Sequence, residues 1–474
     1  MSIKRYTAEA DTTIADAFKP DMINRSTTSN MGLSDSLEIF SIYQQVLPDS
    51  LEKSRMLIQF PTSNIIADRT SGNLPASGSV KFFLKLFNVK HPFTLPKEYN
   101  LSVFPISGSW IEGYGLDLDE YSDLGFGETN GYGTNWRYRI SGSSWTEYGG
   151  DYYADREITQ FFKEGYEDLN VDVTSIVEEW VSGSLPNDGF LIKLQDSYED
   201  ASRKQSYYTK KFSARGTQYF FSRPVIEAQW DDSITDTRNS YTPYIHGMNI
   251  ADATNTVYFY NRAYGNLINL NTTGGLPVFK LYSDAEGTSK VSTLYNTVIS
   301  PSVGIYKAQF ATSAAFETLY DRWHESGSNR LFFSGSIKIR QDSDRSDSYS
   351  EPEYIMNITN LKSSYSNMEK SRINIYSREK NWQPTIYTVA SNNIENTSLK
   401  NLYYRIFRID DNYEVLPYTT GAIQYTKVSY DKNGNYFTLD MSLLEPDYSY
   451  GINLGQYING GIKQYKNTFK FRVK

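Results

Sequence analysis

The chain contains no cysteine in 474 residues. Disulfides, thiolate nucleophiles and zinc–thiolate centres are thereby excluded, and the fold must be held by burial alone. Histidine is scarce. His91, His246 and His324 are the only three; they lie far apart with no neighbour at metal-ligand spacing, so each is read as structural or solvated. No apolar run approaches the roughly 20 residues that span a bilayer, so no membrane partner is expected. The opening MSIKRYTAEADTT lacks the apolar core of a secretory signal, and synthesis in a reducing cytoplasm is the expectation. Lys and Arg are dispersed through a chain of net charge −8, which argues against a nucleic-acid partner. No phosphate loop, GxSxG elbow, HExxH or dinucleotide fingerprint occurs. A nucleophile triad assembled in space is compatible with the sequence, but nothing favours one.

What is abundant is aromatic. Fifteen per cent of the residues are Phe, Trp or Tyr, and 40 are Tyr. Tyr covers apolar area while keeping a polar tip, which suits the half-buried face of a strand, and so many aromatics exclude a disordered chain. The length predicts two to four domains.

The most informative stretch is 171–194, VDVTSIVEEWVSGSLPNDGFLIKL. Val173, Ile176, Val177, Trp180 and Val181 recur at helical spacing, predicting about two turns with one apolar face. Thr174 or Ser175 is the expected cap, with Ser175 and Glu178 at capping-box spacing, and Gly183 the expected stop. Pro186-Asn187-Asp188-Gly189 then predicts a turn into the strand Phe190 to Leu194. A helix so short needs a larger surface to hold it, and the surrounding sequence offers only sheet.

Alternating strands are predicted on either side: 11–14, 36–42, 55–60, 80–87, 99–105 and 223–230. Residues 110–150, rich in Gly, Tyr and Asp, read as a long loop system. Beyond a polar linker at 231–242, strands are expected at 256–260, 278–282, 303–310 and 334–340. Phe316, Leu319, Tyr320 and Trp323 predict a helix of two to three turns. The charged stretch 342–348 reads as a second boundary. In the last part, Asn433-Gly434 and Asn459-Gly460 predict hairpin turns. Leu444-Glu445-Pro446-Asp447-Tyr448-Ser449-Tyr450 predicts a tyrosine corner built on Tyr450. The fold class is therefore all-β, with few short helices: three β-sandwich modules in series over 1–231, 232–350 and 351–474.

Several short motifs in the first module occur together. They are Asp11-Thr12-Thr13-Ile14, Gly32-Leu33-Ser34-Asp35-Ser36-Leu37-Glu38, Arg55-Met56-Leu57-Ile58-Gln59-Phe60, Trp110-Ile111-Glu112-Gly113-Tyr114-Gly115, the 171–192 element, and Phe212-Ser213-Ala214-Arg215 with Arg223-Pro224. In combination they resemble a DNRLRE domain over about half the chain. The resemblance implies a jelly-roll-type sandwich of the kind found in surface, carbohydrate-active and adhesive proteins, without a transferable reaction signature. The two following modules resemble Ig- and fibronectin-like domains. Segments 354–362 and 377–382 look like those of virion structural proteins of T4-like marine tailed bacteriophages. The implied role is a non-enzymatic component of a virion, docking on copies of itself and on other virion proteins. The alternative is an adhesion module that binds host-surface glycan.

Two candidate sites follow. Glu112, Asp117, Asp119, Glu120 and Asp123 form an acidic loop that reads as solvated, as a calcium site carried by Asp117, Asp119 and Asp123, or as a pair of glycosidase carboxylates. Trp110, Trp136 and Trp145 read either as a platform for stacking on a sugar or as a plug beneath the long loops. No other cofactor is implied.

Overall fold

The computed structural model describes residues 2–19, 21–44, 50–90, 97–116, 133–140, 142–272, 275–339, 353–381, 386 and 396–474. The chain is all-β. Two α-helices are present among the described residues, and neither is long and apolar enough to cross a membrane. Its contacts divide it into two units, Ile3–Trp230 and Asp231–Lys474, the latter taking Ser2 with it.

In Ile3–Trp230 two antiparallel sheets face each other. One runs β1 (Ile3–Thr7), β13 (Val225–Gln229), β5 (Lys81–Leu86) and β10 (Leu169–Asp172). The other runs β12 (Tyr207–Ser213), β3 (Ser36–Tyr43), β4 (Leu51–Gln59), β11 (Phe190–Leu194), β6 (Tyr99–Pro105) and β9 (Ile158–Phe162), with β2 (Ala10–Asp16) also paired to β4. Alternate residues such as Phe82, Leu84 and Ile226 meet Met56, Ile58, Val103 and Phe190 in one apolar core. This is the period-two burial that the sequence predicts.

Helix α1 (Thr62–Thr70) follows β4, and α2 (Thr174–Ser182) links β10 to β11. Trp180 lies 4.6 Å from Phe190, which anchors the short α2 to the sheet. Gly183, at φ 78°, ends the helix as expected. The predicted cap is not what forms. Asp172 accepts the Thr174 backbone N–H at 2.9 Å, while the Thr174 hydroxyl accepts from Phe82 of β5. Glu178 turns outward to a two-pronged pair with Arg69 of α1 at 2.6 and 2.7 Å. A capping box needs Glu178 free, and Arg69 is the stronger partner.

The second unit holds two sandwiches. In the first, β14 (Asn255–Tyr260), β20 (Ile305–Ala311) and β19 (Tyr295–Ser302) face β18 (Lys290–Val291), β17 (Val278–Tyr282), β21 (Thr318–His324) and β22 (Leu331–Lys338). In the other, β23 (Tyr354–Ile358), β25 (Lys370–Glu379), β29 (Gly434–Asp440) and β28 (Ser429–Asp431) form one sheet. The facing sheet is β24 (Ser364–Tyr365), β31 (Gly461–Val473), β30 (Ser449–Ile458), β26 (Leu402–Arg408) and β27 (Glu414–Leu416), with β24 parallel to β31. Two small hairpins complete the strands: β7 (Tyr138–Ile140) with β8 (Ser143–Ser144), and β15 (Arg262–Ala263) with β16 (Asn266–Leu267). Tyr450 is fully buried and donates its hydroxyl to the Glu445 carbonyl at 2.8 Å, forming the predicted tyrosine corner.

Two expectations for the second unit need correction, and one strand starts later than expected. The helix predicted at Phe316, Leu319, Tyr320 and Trp323 is strand β21. Leu319, Asp321 and Trp323 are all fully buried on one face, while Phe316 is half exposed. A gap of four residues fits either period, and a buried Asp321 disguises the alternation. The strand predicted across 303–310 is β20 from Ile305 on; its first two residues lie instead in the hairpin turn at Gly304, φ 70°, that separates β19 from β20. The stretch 231–242 is no free linker. Thr237 donates to Thr256 of β14 at 2.8 Å, Asp236 to Tyr430 of β28 at 3.0 Å, and Tyr430 back to Ile234 at 2.8 Å. One short segment is thus hydrogen-bonded to both sandwiches, which belong to one unit. The boundary expected at 342–348 lies outside the described residues.

Candidate functional site: the root of the long loop

Four of the motif fragments in the first module meet at one place. Asn30 is its centre. Its amide nitrogen donates to the carbonyls of Glu112, at 2.7 Å, and Thr134, at 2.8 Å; its side-chain oxygen accepts from Gly32, at 3.1 Å, and Gly115, at 2.8 Å. All four hydrogen-bonding positions of the amide are filled. The backbone closes so tightly on Asn30 that a Cβ at Gly115 would overlap the Asn30 carbonyl, and one at Gly113, also at φ 83°, would overlap its side chain. Asn30 therefore clamps both ends of the chain that leaves at 116 and returns at 133.

A second clamp lies beside it. Arg215 forks onto both Glu112 carboxylate oxygens, with the Nε contact at 2.6 Å. Glu112 also accepts the Asp11 backbone N–H at 2.8 Å, and Asp11 accepts the Arg215 backbone N–H at 2.6 Å. Asp11 is almost wholly buried at 1% exposure. Burial pushes its pKa up to about 7, partly opposed by the Arg215 N–H and reinforced by the Glu112 charge.

The three loop tryptophans are buried, at 7%, 4% and 2% exposure for Trp110, Trp136 and Trp145. They pack with Ile14, Leu57, Phe104, Ile106 and Leu191 as a second apolar cluster on the outer side of the larger sheet. Trp110 and Trp145 give their indole N–H groups to the Asp188 and Asn135 carbonyls at 2.8 and 2.9 Å. Arg55 covers Trp136 at 5.1 Å and donates to the Gly149 carbonyl at 2.9 Å. A sugar needs an open ring face, so the stacking platform is corrected to a plug: these rings seal the sheet under the loop.

Of the acidic candidates, Glu112 is brought to the root and is already held by Arg215 and Asp11. Asp117, Asp119, Glu120 and Asp123 lie outside the described residues, as does His91. Among the described residues no group of three or more His, Asp or Glu is arranged to hold a metal. His324 is nearly buried, with Nδ1 3.4 Å from the Asn329 carbonyl, and burial holds its pKa below the usual value.

Exposed apolar groups sit around the root. Leu33, Tyr114 and Leu116 are 52%, 65% and 57% exposed, and the Leu33 N–H donates to the Gly115 carbonyl. Sequence reasoning did not find Asn30. The signal was present in the run of glycines at 113, 115 and 133, which announces close approach of backbone to some other group.

No family model and no curated protein matches the sequence. Solved structures with weak likeness include a fragment of titin, at 11% identity and a TM-score of 0.16 over 51% of this chain and 96% of that one. Another is the adhesin InvE of Yersinia pseudotuberculosis, also at 11% identity and a TM-score of 0.16, over 51% of this chain and 57% of the adhesin chain.

Proposed function

We propose that this chain is a non-enzymatic structural component of a tailed-bacteriophage virion, at the neck, tail, baseplate or capsid surface, and works by protein–protein docking. The observation that carries the reading is the 234–237 segment. It hydrogen-bonds two sandwiches into one body, and a part that bears load between neighbours needs such a joint. The loop root supports it from the other unit, since Asn30, Glu112 and Arg215 are all engaged in holding backbone and each other. Symmetric copies of the chain and other virion proteins are the partners this role calls for. The direct test is mass spectrometry and electron microscopy of purified particles. The chain is expected in a fixed number of copies per particle; its presence only in the soluble lysate would rule the reading out.

A second reading, adhesion to host-surface glycan, is favoured by one feature, the exposed Tyr114 at the loop root. Saturable binding of the full chain on a glycan array, lost in Tyr114→Ala, is its expected signature. An array without binding would leave it no support.

A further inference from the structure

A chain without cysteine can tie its sheets together covalently only through other side chains. One amine in the first unit stands where such a tie could form. Lys210, on β12, is 1% exposed. Its Nζ lies 5.2 Å from the ring centre of Phe162 and 4.8 Å from that of Phe212. It donates to the Asn88 side-chain oxygen at 2.6 Å, to the Gly165 carbonyl at 3.1 Å and to the Glu167 carbonyl at 2.8 Å. All three acceptors are neutral, and no carboxylate among the described residues forms an ion pair with Lys210. A buried ammonium without a counter-ion is costly. Burial lowers its pKa to about 8, opposed by the Asp168 and Glu167 charges at longer range. A lysine desolvated in this way is a competent nucleophile.

The backbone brings Asn88 to it. Asn88 follows β5 of the smaller sheet and bridges Phe212 at the edge of the larger one. The Ser213 N–H donates to the Phe87 carbonyl at 3.0 Å, and the Val89 N–H to the Lys211 carbonyl at 3.1 Å. Lys210 is two residues from Phe212, so strand alternation puts its side chain on the Asn88 face. A C=O bond is about 1.2 Å, so the Asn88 carbonyl carbon lies within about 3.8 Å of Nζ, near the roughly 3–3.5 Å at which reacting atoms are held. Glu167 adds a carboxylate. Burial raises its pKa, but the surrounding backbone N–H groups, foremost that of Glu164, outweigh this and hold it below the usual range. The Glu164 and Lys163 N–H groups both reach Oε1, at 2.7 and 2.8 Å. Oε2 is buried and has no hydrogen-bond partner among the described residues.

We propose that Lys210 and Asn88 join in an intramolecular isopeptide bond, with Glu167 carrying the protons. Glu167 takes one proton from the ammonium, and the freed electron pair forms the bond from Nζ to the side-chain carbonyl carbon of Asn88. The carboxyl gives its proton to Nδ2, the bond from that carbon to Nδ2 breaks, and ammonia leaves. The surplus proton on Nζ returns to the carboxylate, which leaves a neutral amide. Nothing is oxidised or reduced, and no co-reactant is needed. The product removes a buried charge and ties β12 of the larger sheet to the end of β5 in the smaller one, across 122 positions of sequence. The virion reading does not require this bond, and the bond does not require that reading.

Intact-mass spectrometry of the denatured full chain tests it. The mass is expected to fall short of the sequence by one ammonia. Proteolysis is expected to release one branched peptide joining the segment that holds Asn88 to the segment that holds Lys210. Glu167→Gln keeps the size of the side chain but takes no proton. It is expected to show its own full sequence mass, an unbranched digest and a lower melting temperature for the first unit, with circular dichroism unchanged. Asn88→Ala removes the carbon under attack and is expected to restore the sequence mass as well. A folded native chain that keeps its full sequence mass after prolonged incubation overturns the inference, and Lys210 is then a buried ammonium and nothing more. Loss of ammonia that survives Asn88→Ala also overturns it, because a succinimide at an Asn-Gly pair such as Asn433-Gly434 sheds the same mass. The branched peptide in undiminished yield from Glu167→Gln overturns the part given to Glu167.

Discussion

Asp11 is a carboxylate in a place that favours the neutral acid. It is buried beside Glu112, and its pKa is pushed up to about 7 from an ordinary value near 4. Between those values the folded state binds more protons than the unfolded state, so stability falls as pH rises through that window. The amide of Asn accepts the Arg215 N–H equally well but does not titrate. Asp11→Asn is therefore expected to flatten the pH dependence of the first unit. The difference in unfolding free energy between the two proteins should change by about 2 kcal/mol from pH 5 to pH 7, the native chain losing ground as pH rises. Denaturant titrations followed by tryptophan fluorescence read this out, because five of the seven tryptophans lie within Ile3–Trp230. Parallel pH curves for the two proteins would show that Asp11 is ionised in the folded chain at pH 5.

Helix α2 shows what a short element owes to its neighbours. Two turns do not persist alone in water, and α2 is held by the burial of Ile176, Val177 and Trp180, with Trp180 against Phe190. Trp180→Ala is expected to cost about 3–5 kcal/mol, because it removes a large ring and leaves a cavity beside the sheet. Calorimetry of the first unit's transition measures it, and a loss under 1 kcal/mol would mean that α2 is not anchored there. This element was legible because its signals are local: apolar spacing, Gly183, and the turn before β11. The tyrosine corner at Tyr450 was legible for the same reason, since Glu445 is five residues away. β21 was misread because Asp321 breaks the apolar alternation, and its partner Arg238 is 83 residues distant. The loop root shares that difficulty. Asn30 reaches residues 82 and 104 positions away, and a glycine pattern records a close approach without saying to what.

A buried ion pair stands beside the joint of the second unit. Arg238 forks onto Asp321 of β21, with one contact at 2.8 Å, and donates to the Tyr258 carbonyl of β14 at 3.0 Å. Trp323 adds its indole N–H to the same Asp321 carboxylate at 2.8 Å. Asp236, two residues before Arg238, carries the N–H that reaches Tyr430 of the other sandwich. Asp321→Ala removes the forked partner and leaves the buried guanidinium only the longer ionic contact to Asp236 at 3.5 Å, a loss expected to cost about 3 kcal/mol. Because the segment that Arg238 fixes also bonds β28, the loss should not stay within the middle sandwich. In calorimetry of the full chain, the transition of Asp231–Lys474 is expected to move down as one, by roughly 10 °C for a unit of this size. The transition of Ile3–Trp230 should stay in place. If the mutation instead splits the lower transition, shifting only 255–338, the 234–237 hydrogen bonds do not couple the two sandwiches. The double change Arg238→Met with Asp321→Leu separates charge from packing: a matched apolar pair should recover most of the stability. Recovery with coupling intact would mean that the backbone ladder makes the joint rigid and the ion pair only holds it in register.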